Sequence, residues 1–280
     1  MSAFRRHRAA WLLALPLLVF LTVLFVIPVG QIMLLGLFPK GEGPTFALFE
    51  EVLADPFYHR VAIRTLRIAL LTTLLSLVLA YPVALHLRNV GSRWQSAIVL
   101  IMVSPLLTSV VVRTLAWVVL LSNRGILNQA FGAIGLPPMR MIYVEGAVVV
   151  GLTHVFFGYM VVSLMTSIRR IDENLYAAAA NLGASRLRQH LEITLPLSLP
   201  GVLAGSVLVF ILAASAYATP SLLGGLRISM LAVEVFNQAI TYFNWPEAAV
   251  ISTGLFVLIA AVVWIATRVA EGGRRKVIFQ

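Results

Sequence analysis

The 280-residue sequence contains no cysteine and few charged residues. Without cysteine, the chain has no disulfide framework, no thiolate metal ligand and no cysteine nucleophile. Charged residues make up 11% of the chain and hydrophobic residues 60%, whereas an ordinary soluble domain is about 25% charged. This composition excludes a soluble enzyme, a disordered tail and a nucleic-acid-binding protein.

Lysine is also scarce. Only two occur: Lys40 follows Pro39, and Lys276 follows Arg275. A P-loop needs the pattern Gly-x-x-x-x-Gly-Lys-Ser/Thr, because its backbone amides and lysine hold the phosphates. The chain therefore cannot bind ATP through a P-loop, and any ATP hydrolysis requires a separate polypeptide.

Long apolar runs dominate what is present. A helix that crosses the hydrocarbon core needs about 20 apolar residues, because its backbone polar groups must be satisfied within the segment. Six runs qualify, one of them interrupted by Arg113, and the first is too long for a signal peptide, so we expect it to be a retained anchor helix. The sequence predicts an all-α polytopic membrane protein with six transmembrane helices. The runs are 9–39, 68–87, 94–123, 146–168, 193–226 and 248–267.

The basic residues predict the orientation of these helices. With the N-terminus inside, 13 Lys and Arg residues lie on the inner side and seven on the outer side, where acidic residues balance them. Cytoplasmic loops carry such an excess. We therefore expect both termini in the cytoplasm, and membrane lipid rather than nucleic acid as the partner of the positive charge.

The inner loop 169–199, called the Gly183 loop below, carries clear helix signals. Asp172 is a candidate N-cap, four alanines follow at 177–180, and Gly183 can adopt the left-handed conformation that ends a helix. A second short helix is expected to follow and to stop at Pro196, with Pro200 starting the next span. On these residues alone, an interfacial hairpin and a partner-docking element stay equally open.

The fifth apolar run contains residues that break helices. Pro220 is followed by Gly224 and Gly225, so the helix is expected to end near Thr219. A short helix over 229–243, carrying Glu234, is expected next.

The Gly183 loop resembles the cytoplasmic signature of permease subunits of ATP-binding-cassette (ABC) importers. In that signature Glu-Ala-Ala precedes a glycine, and Ile-x-Leu-Pro begins ten residues after the glycine, the spacing found here. Ala177 stands where the family usually has glutamate, and Glu173 is a possible replacement. The resemblance implies that the loop contacts an ATPase through Ala177, Ala178, Ala179, Gly183, Ala184, Ile193, Leu195 and Pro196.

Other segments resemble the spermidine and putrescine permease group. The match covers about 65–267, most of the chain, and includes the segments 113–117, 125–128 and 217–225. It implies a type I (MetI-like) permease core at 64–270, after an anchor helix and periplasmic loop at 1–63 and before a cytoplasmic tail at 271–280. Relatives that handle ferric iron, aminophosphonates or opines share this framework, so these solutes stay open beside a polyamine.

The resemblance also implies partners. A second permease subunit, identical or different, would complete the path, two ATPase subunits would bind ATP and Mg, and a periplasmic or lipid-anchored protein would deliver the solute. This chain would be neither an enzyme nor a cofactor protein. A self-sufficient secondary transporter is the alternative, but it predicts intramembrane acids or two related halves, and the sequence has neither.

Candidates for the solute path follow from charge and aromaticity. Arg113, predicted in the middle of the third span, either pairs with a carboxylate of the second permease, contacts an anionic group of the solute or extends to the lipid surface. Tryptophan and tyrosine faces attract amines, although simple packing is the alternative for each, and His86 and His154 are interpreted as packing residues rather than metal ligands. The path or gate candidates are Arg113, Thr114, Trp117, Tyr159, Tyr217, Thr219, Pro220 and Glu234.

Overall fold

The structure is a computed structural model that describes residues 15–38 and 43–278, with side chains up to residue 268. It is built from helices, and six of them are long and apolar enough to cross a membrane. The fold class predicted from the sequence is therefore confirmed. The predicted residues 9–14 and 39 of the first span lie outside the described residues. The six spans are α1 (Leu15–Leu35), α3 (Pro56–Arg88), α5 with α6 (Val110–Ala133), α7 (Glu145–Ile168), α9 (Arg186–Ala214) and α12 (Trp245–Arg268).

Shorter helices connect the spans. Helix α2 precedes α3, α4 precedes α5, α8 lies in the Gly183 loop, and α10 and α11 form a broken apolar pair before α12. The bounds are α2 Ala47–Ala54, α4 Ser92–Leu107, α5 Val110–Leu121, α6 Ile126–Ala133, α8 Glu173–Asn181, α10 Ala218–Gly224 and α11 Leu231–Thr241; the backbone of α12 continues to Ile278.

The chain forms two compact units. One comprises the residues up to Tyr58 with Glu234–Gly254, and the other His59–Val233 with the residues from Leu255 onward. In the second unit α7 is central: Val148 and Leu152 pack with Ile68 of α3 and Leu223 of α10 in one apolar cluster. Further along, Met160 and Leu164 pack in a second cluster, with Ala80, Ala84, Leu87 and Val209. Small residues on α7 and α9 allow this close approach.

The prediction of one continuous third helix over 94–123 is wrong. Helix α4 ends at Leu107, Thr108 and Ser109 are extended, and α5 begins at Val110. Pro105 in the last turn of α4 explains the break, because proline lacks the amide that would continue the helix ladder. Arg113 consequently lies in the first turn of α5 rather than in the middle of a span.

The prediction that Pro196 stops a short helix is also wrong. Residues 186–214 form one helix that passes through a π-turn at His190–Thr194, where the amide of Leu195 bonds the carbonyl of His190. A π-turn widens the helix and leaves a carbonyl without its usual donor. The proline that follows, which has no backbone N–H, therefore disrupts few further hydrogen bonds. Pro196 therefore sits in the first turn after the π-turn, and Pro200 lies inside the helix.

The fifth span ends at Ala214 rather than near Thr219. Pro220 requires a free position in a first helical turn, so the chain leaves the helix at Ser215 and restarts as α10 at Ala218. The expected short helix after the glycines is present as α11.

Candidate functional site

The Gly183 loop begins with the capped helix α8. The Asp172 carboxylate accepts a hydrogen bond of 2.9 Å from the Asn174 amide, which satisfies one free donor at the start of the helix. Gly183 has a φ of +80°. The amides of Ala184 and Gly183 bond the carbonyls of Ala179 and Ala180, each at 2.9 Å, which is a Schellman ending. The predicted cap and left-handed glycine are both confirmed.

The signature residues of this loop are small or apolar, and most of them are exposed. Ala177, Ala178, Gly183, Leu195 and Pro196 are exposed, and Ala179, Ala184 and Ile193 are half-buried. Leu182, at the tip, is 89% exposed. Glu173, one turn before Ala177, is also exposed and lies 4.0 Å from Arg88 in an ion pair. The loop thus presents exposed apolar groups beside charged side chains, which include Glu173 and the exposed ion pair of Arg188 with Glu192.

Arg113 lies across the break between α4 and α5. It is 9% exposed, and its Nη1 donates a hydrogen bond to the carbonyl oxygen of Pro105 in the last turn of α4. A cation is favourable at the carbonyl end of a helix. Its Nε is buried and has no hydrogen-bond partner among the described residues. Arg113 therefore caps the preceding helix, a role that was not among the three considered from the sequence.

Three further path candidates meet where α5, α7 and α10 pack together. The hydroxyl oxygens of Thr114 and Thr219 are 3.3 Å apart, and the Trp117 indole donates to Nδ1 of His154 at 3.2 Å. A Cβ on Gly151 would lie 2.6 Å from Cδ1 of Leu223 and 3.0 Å from Cγ2 of Thr219, so a larger residue at this position would require these side chains to shift. These contacts assign His154 to helix packing. Pro220, next to Thr219, is buried as well.

The remaining path candidates, Tyr159, Tyr217 and Glu234, lie outside this group of residues. Tyr159 on α7 is 36% exposed, and in the described part of the chain no hydrogen bond or ring contact links it to Thr114, Trp117 or Thr219. Tyr217 packs against the apolar cluster around α7. Glu234 is buried but belongs to the other unit.

That other unit contains a polar cluster which sequence reasoning missed. The Tyr58 hydroxyl donates to Oε1 of Glu247 at 2.5 Å and accepts from Gln238 at 3.2 Å. Asn244 donates to the second oxygen of Glu247 at 2.6 Å. The 189 positions between Tyr58 and Glu247 leave no local spacing from which the pair could have been recognised. Glu247 lies in the first turn of α12, where a negative charge is favourable.

No group of three acidic or histidine side chains is placed to hold a metal ion within the described residues. The candidate residues instead cap a helix end, pair two hydroxyls and bring aromatic rings together where helices pack, and the Gly183 loop is exposed. Such features suit movement of helices and contact with other proteins.

Comparison with known proteins decides the family. No family model matches the chain. The chain is 32% identical over 221 residues, 77% of its own length and 80% of the relative's, to the spermidine/putrescine transport system permease protein PotB of Escherichia coli. The chain belongs to the family of ABC importer permease subunits. It is also 28% identical over 218 residues, 77% of the chain and 80% of the relative, to the molybdenum transport system permease protein ModB of Mycobacterium bovis.

Solved structures show the same fold for this permease. A crystal structure of a bacterial ABC transporter involved in the import of alginate matches with a TM-score of 0.80 and 19% identity, covering 95% of this chain and 96% of that one. The alginate transporter in complex with an alginate-bound periplasmic protein matches with a TM-score of 0.75, 18% identity and the same coverage. As an ABC importer permease, the chain is a multi-pass inner-membrane protein without catalytic activity, and ATP is bound and hydrolysed by a separate ATPase subunit.

Proposed function

We propose that this permease forms half of the translocation path of an ATP-driven importer for a polyamine, spermidine or putrescine, or for a related small polar organic solute. The observation that carries the proposal is the 32% identity to the spermidine/putrescine permease of Escherichia coli over most of both chains. The geometry supports it in one respect. Arg113 is buried and donates to the Pro105 carbonyl at the end of α4, so its position is explained by the helix break and does not require an anionic solute.

The path itself is proposed to run past the crossing of α5, α7 and α10. The Thr114 and Thr219 hydroxyls are buried and 3.3 Å apart there, and Trp117 adds an aromatic ring, so an amine would reach these groups when the helices move apart. Hydroxyl oxygens and aromatic faces are suitable contacts for an amine that must pass without binding tightly. Tyr159, Tyr217, Pro220 and Glu234 are proposed to contribute elsewhere along the path or to its gate.

The Gly183 loop is proposed as the ATPase contact. Its open alanines and the exposed Leu182 suit insertion into a groove of another protein, and Glu173 is placed to substitute for the glutamate that Ala177 replaces. ATP would close two ATPase subunits, move this loop and swing the spans between inward-open and outward-open states, which is movement of rigid bodies around a fixed site.

The assembly is proposed to contain a second permease, identical or different, and a periplasmic or lipid-anchored binding protein, as the alginate transporter structure with its periplasmic protein suggests. Within the chain, 1–63 would form the anchor helix and periplasmic loop, 64–270 the core and 271–280 a cytoplasmic tail. Both termini would then lie in the cytoplasm, with the Gly183 loop on the same side.

An anionic solute is the second candidate. The buried Nε of Arg113, without a partner among the described residues, and the similarity to a molybdenum permease favour it. In the polyamine proposal this Nε instead donates a hydrogen bond to a carboxylate of the second permease. Ferric iron, an aminophosphonate or an opine are other solutes that the same importer class would accommodate.

The test combines binding and uptake. The binding protein that delivers solute to this importer is heated with spermidine, putrescine, molybdate or an opine, and the ligand that raises its melting temperature is then used in ATP-driven uptake by the complete reconstituted importer. A polyamine is expected in both measurements; stabilisation and uptake with molybdate alone would overturn the polyamine proposal. Ion-gradient-driven uptake by liposomes holding this chain alone would instead indicate a secondary transporter.

A further inference from the structure

Tyr176 of helix α8 contacts two membrane-spanning helices through one side chain. Its hydroxyl lies 2.9 Å from Oγ1 of Thr194 in α9. The guanidinium carbon of Arg88, the last residue of α3, lies 4.1 Å from the centre of its ring. Tyr176 directly precedes Ala177, so this link lies beside the proposed ATPase contact.

The contact with Arg88 is shielded from water. The Arg88 side chain is 17% exposed, whereas its ion-pair partner Glu173 is 92% exposed at a distance of 4.0 Å. Exposed ion pairs contribute little, while a cation over an aromatic face is stronger when water is excluded. The ring of Tyr176, more than the carboxylate of Glu173, therefore holds the end of α3 against α8.

The contact with Thr194 falls at a weak point of α9. Thr194 is 3% exposed and ends the π-turn His190–Thr194, and Pro196 and Pro200 follow within two turns. Missing backbone donors and a π-turn are the features at which helices bend. A force applied at Thr194 would thus act where α9 yields most easily.

A second tyrosine ties the same two spans to each other. The Tyr81 hydroxyl of α3 lies 3.0 Å from Oγ of Ser198 in α9, and its ring meets the ring of His190 edge-on at 5.7 Å. Helices α3 and α9 are therefore joined independently of the loop, and Tyr176 attaches α8 to this pair.

We propose that Tyr176 is a positioning residue that makes α3 and α9 follow the Gly183 loop as one body. The inference rests on the proposed function, in which the ATPase moves this loop. Displacement of α8 pulls Arg88 through the ring and Thr194 through the hydroxyl at the same time. As these contacts are lost, movement of α8 is transmitted less completely to the joined α3 and α9, so less solute is carried for each ATP hydrolysed.

The experiment measures uptake and ATP hydrolysis in parallel, using the complete importer in liposomes. Tyr176→Phe removes only the hydroxyl, and Tyr176→Leu removes both contacts. We expect Tyr176→Leu to lower the solute carried per ATP by about 2- to 30-fold, the range found for residues along a coupling route, and Tyr176→Phe to lower it less. Tyr242→Phe, at an exposed tyrosine, is the matched control and leaves the ratio unchanged.

A merely structural role gives a different result. Loss of folding or assembly lowers uptake and hydrolysis together, so the ratio stays constant while the melting temperature of the complex falls. Thr194→Val supplies a second variant that removes the hydrogen bond from the other side. We expect it to match Tyr176→Phe, and the double variant to be no worse than either single one, because both remove the same interaction.

An unchanged ratio in Tyr176→Leu, or fully additive losses in the double variant, would overturn the inference. Gly183→Val separates this failure from failure of the proposed function. If Gly183→Val uncouples the importer while the Tyr176 variants do not, the loop still receives the ATPase and only the role of Tyr176 is wrong. If none of these variants alters coupling, the ATPase contact lies elsewhere.

Discussion

The close packing of α4 against α7 and the open Gly183 loop require glycine for different reasons. A Cβ built on Gly158 of α7 would lie 2.7 Å from the carbonyl oxygen of Met102 in α4, a backbone atom that cannot easily move. A Cβ built on Gly183 would meet no described atom within 4 Å, yet its φ is +80°. The first glycine is required for space and the second for backbone conformation.

The side chains that cap helices in the two regions differ in their exposure to solvent. Arg113 is buried against the Pro105 carbonyl, whereas Asp172 is exposed and caps α8 at the surface. The membrane-embedded region is thus stabilised by close contact, and the loop by local backbone geometry that leaves its outer surface free. Changes in the first region should lower stability, and changes in the second should mainly lower coupling.

The largest effect is expected at Gly158. Gly158→Ala forces the backbones of α4 and α7 apart, and overpacking of this kind costs about 1–3 kcal/mol. Thermal denaturation of the purified complex measures it. Gly146→Ala, on the same helix with no described atom within 4 Å, is the control, and equal melting temperatures for the two variants would show that the approach of α4 does not depend on glycine.

Arg113→Ala comes next. It removes a hydrogen bond from a charged donor, a contribution of about 1.5–3 kcal/mol, but Thr108 still donates to the Pro105 carbonyl at 2.9 Å, so the net loss is expected to be smaller than at Gly158. We expect a lower melting temperature of the complex, with Arg124→Ala, at an exposed arginine, leaving it unchanged. Normal stability together with lost uptake would instead assign Arg113 to the solute or to the second permease.

Gly183→Val tests the loop side of the comparison. A β-branched residue at this φ is strained by about 1–2 kcal/mol, so the loop should change its conformation and ATP-driven uptake should fall. The melting temperature should fall less than in Gly158→Ala, because no described atom is crowded and the exposed loop can relax without disturbing the packed helices. Gly183→Asn should retain more uptake, since asparagine adopts the left-handed conformation more readily. Equal uptake by the valine variant and the unaltered protein would contradict a conformational role.

The smallest effect is expected at Asp172. Asp172→Ala removes the N-cap of α8 and costs about 1 kcal/mol, which should reduce uptake modestly without dissociating the complex. Asp172→Asn keeps a capping oxygen and should behave like the unaltered protein. A loss in the asparagine variant as large as in the alanine variant would point to the charge rather than the cap.

Sequence patterns predicted what depends on neighbours along the chain. The spans follow from apolar runs, and the Asp172 cap and the left-handed Gly183 follow from residue type and position. The effects of two prolines were predicted wrongly. The helix was expected to continue past Pro105 but ends at Leu107, and it was expected to stop at Pro196 but continues through it. A π-turn accommodates the second proline, and no local pattern distinguishes such a turn from a helix end.

Contacts between distant residues could not be predicted. Trp117 meets His154 across 37 positions and Tyr176 meets Thr194 across 18, and both pairs depend on how the helices pack. Arg113 was recognised as unusual from its place in an apolar run. Its partner is a backbone carbonyl eight residues away. Every residue has such a carbonyl, so the pattern of side chains could not identify this one.

Cysteine-directed photo-crosslinking in the assembled importer tests the central claim most directly. The chain has no cysteine, so Leu182→Cys at the tip of the Gly183 loop and Leu226→Cys, at a leucine that is also fully exposed, each introduce a single attachment point in this subunit. The account predicts crosslinks from position 182 to the ATPase and none from position 226. An active importer in which position 182 does not crosslink to the ATPase would contradict it.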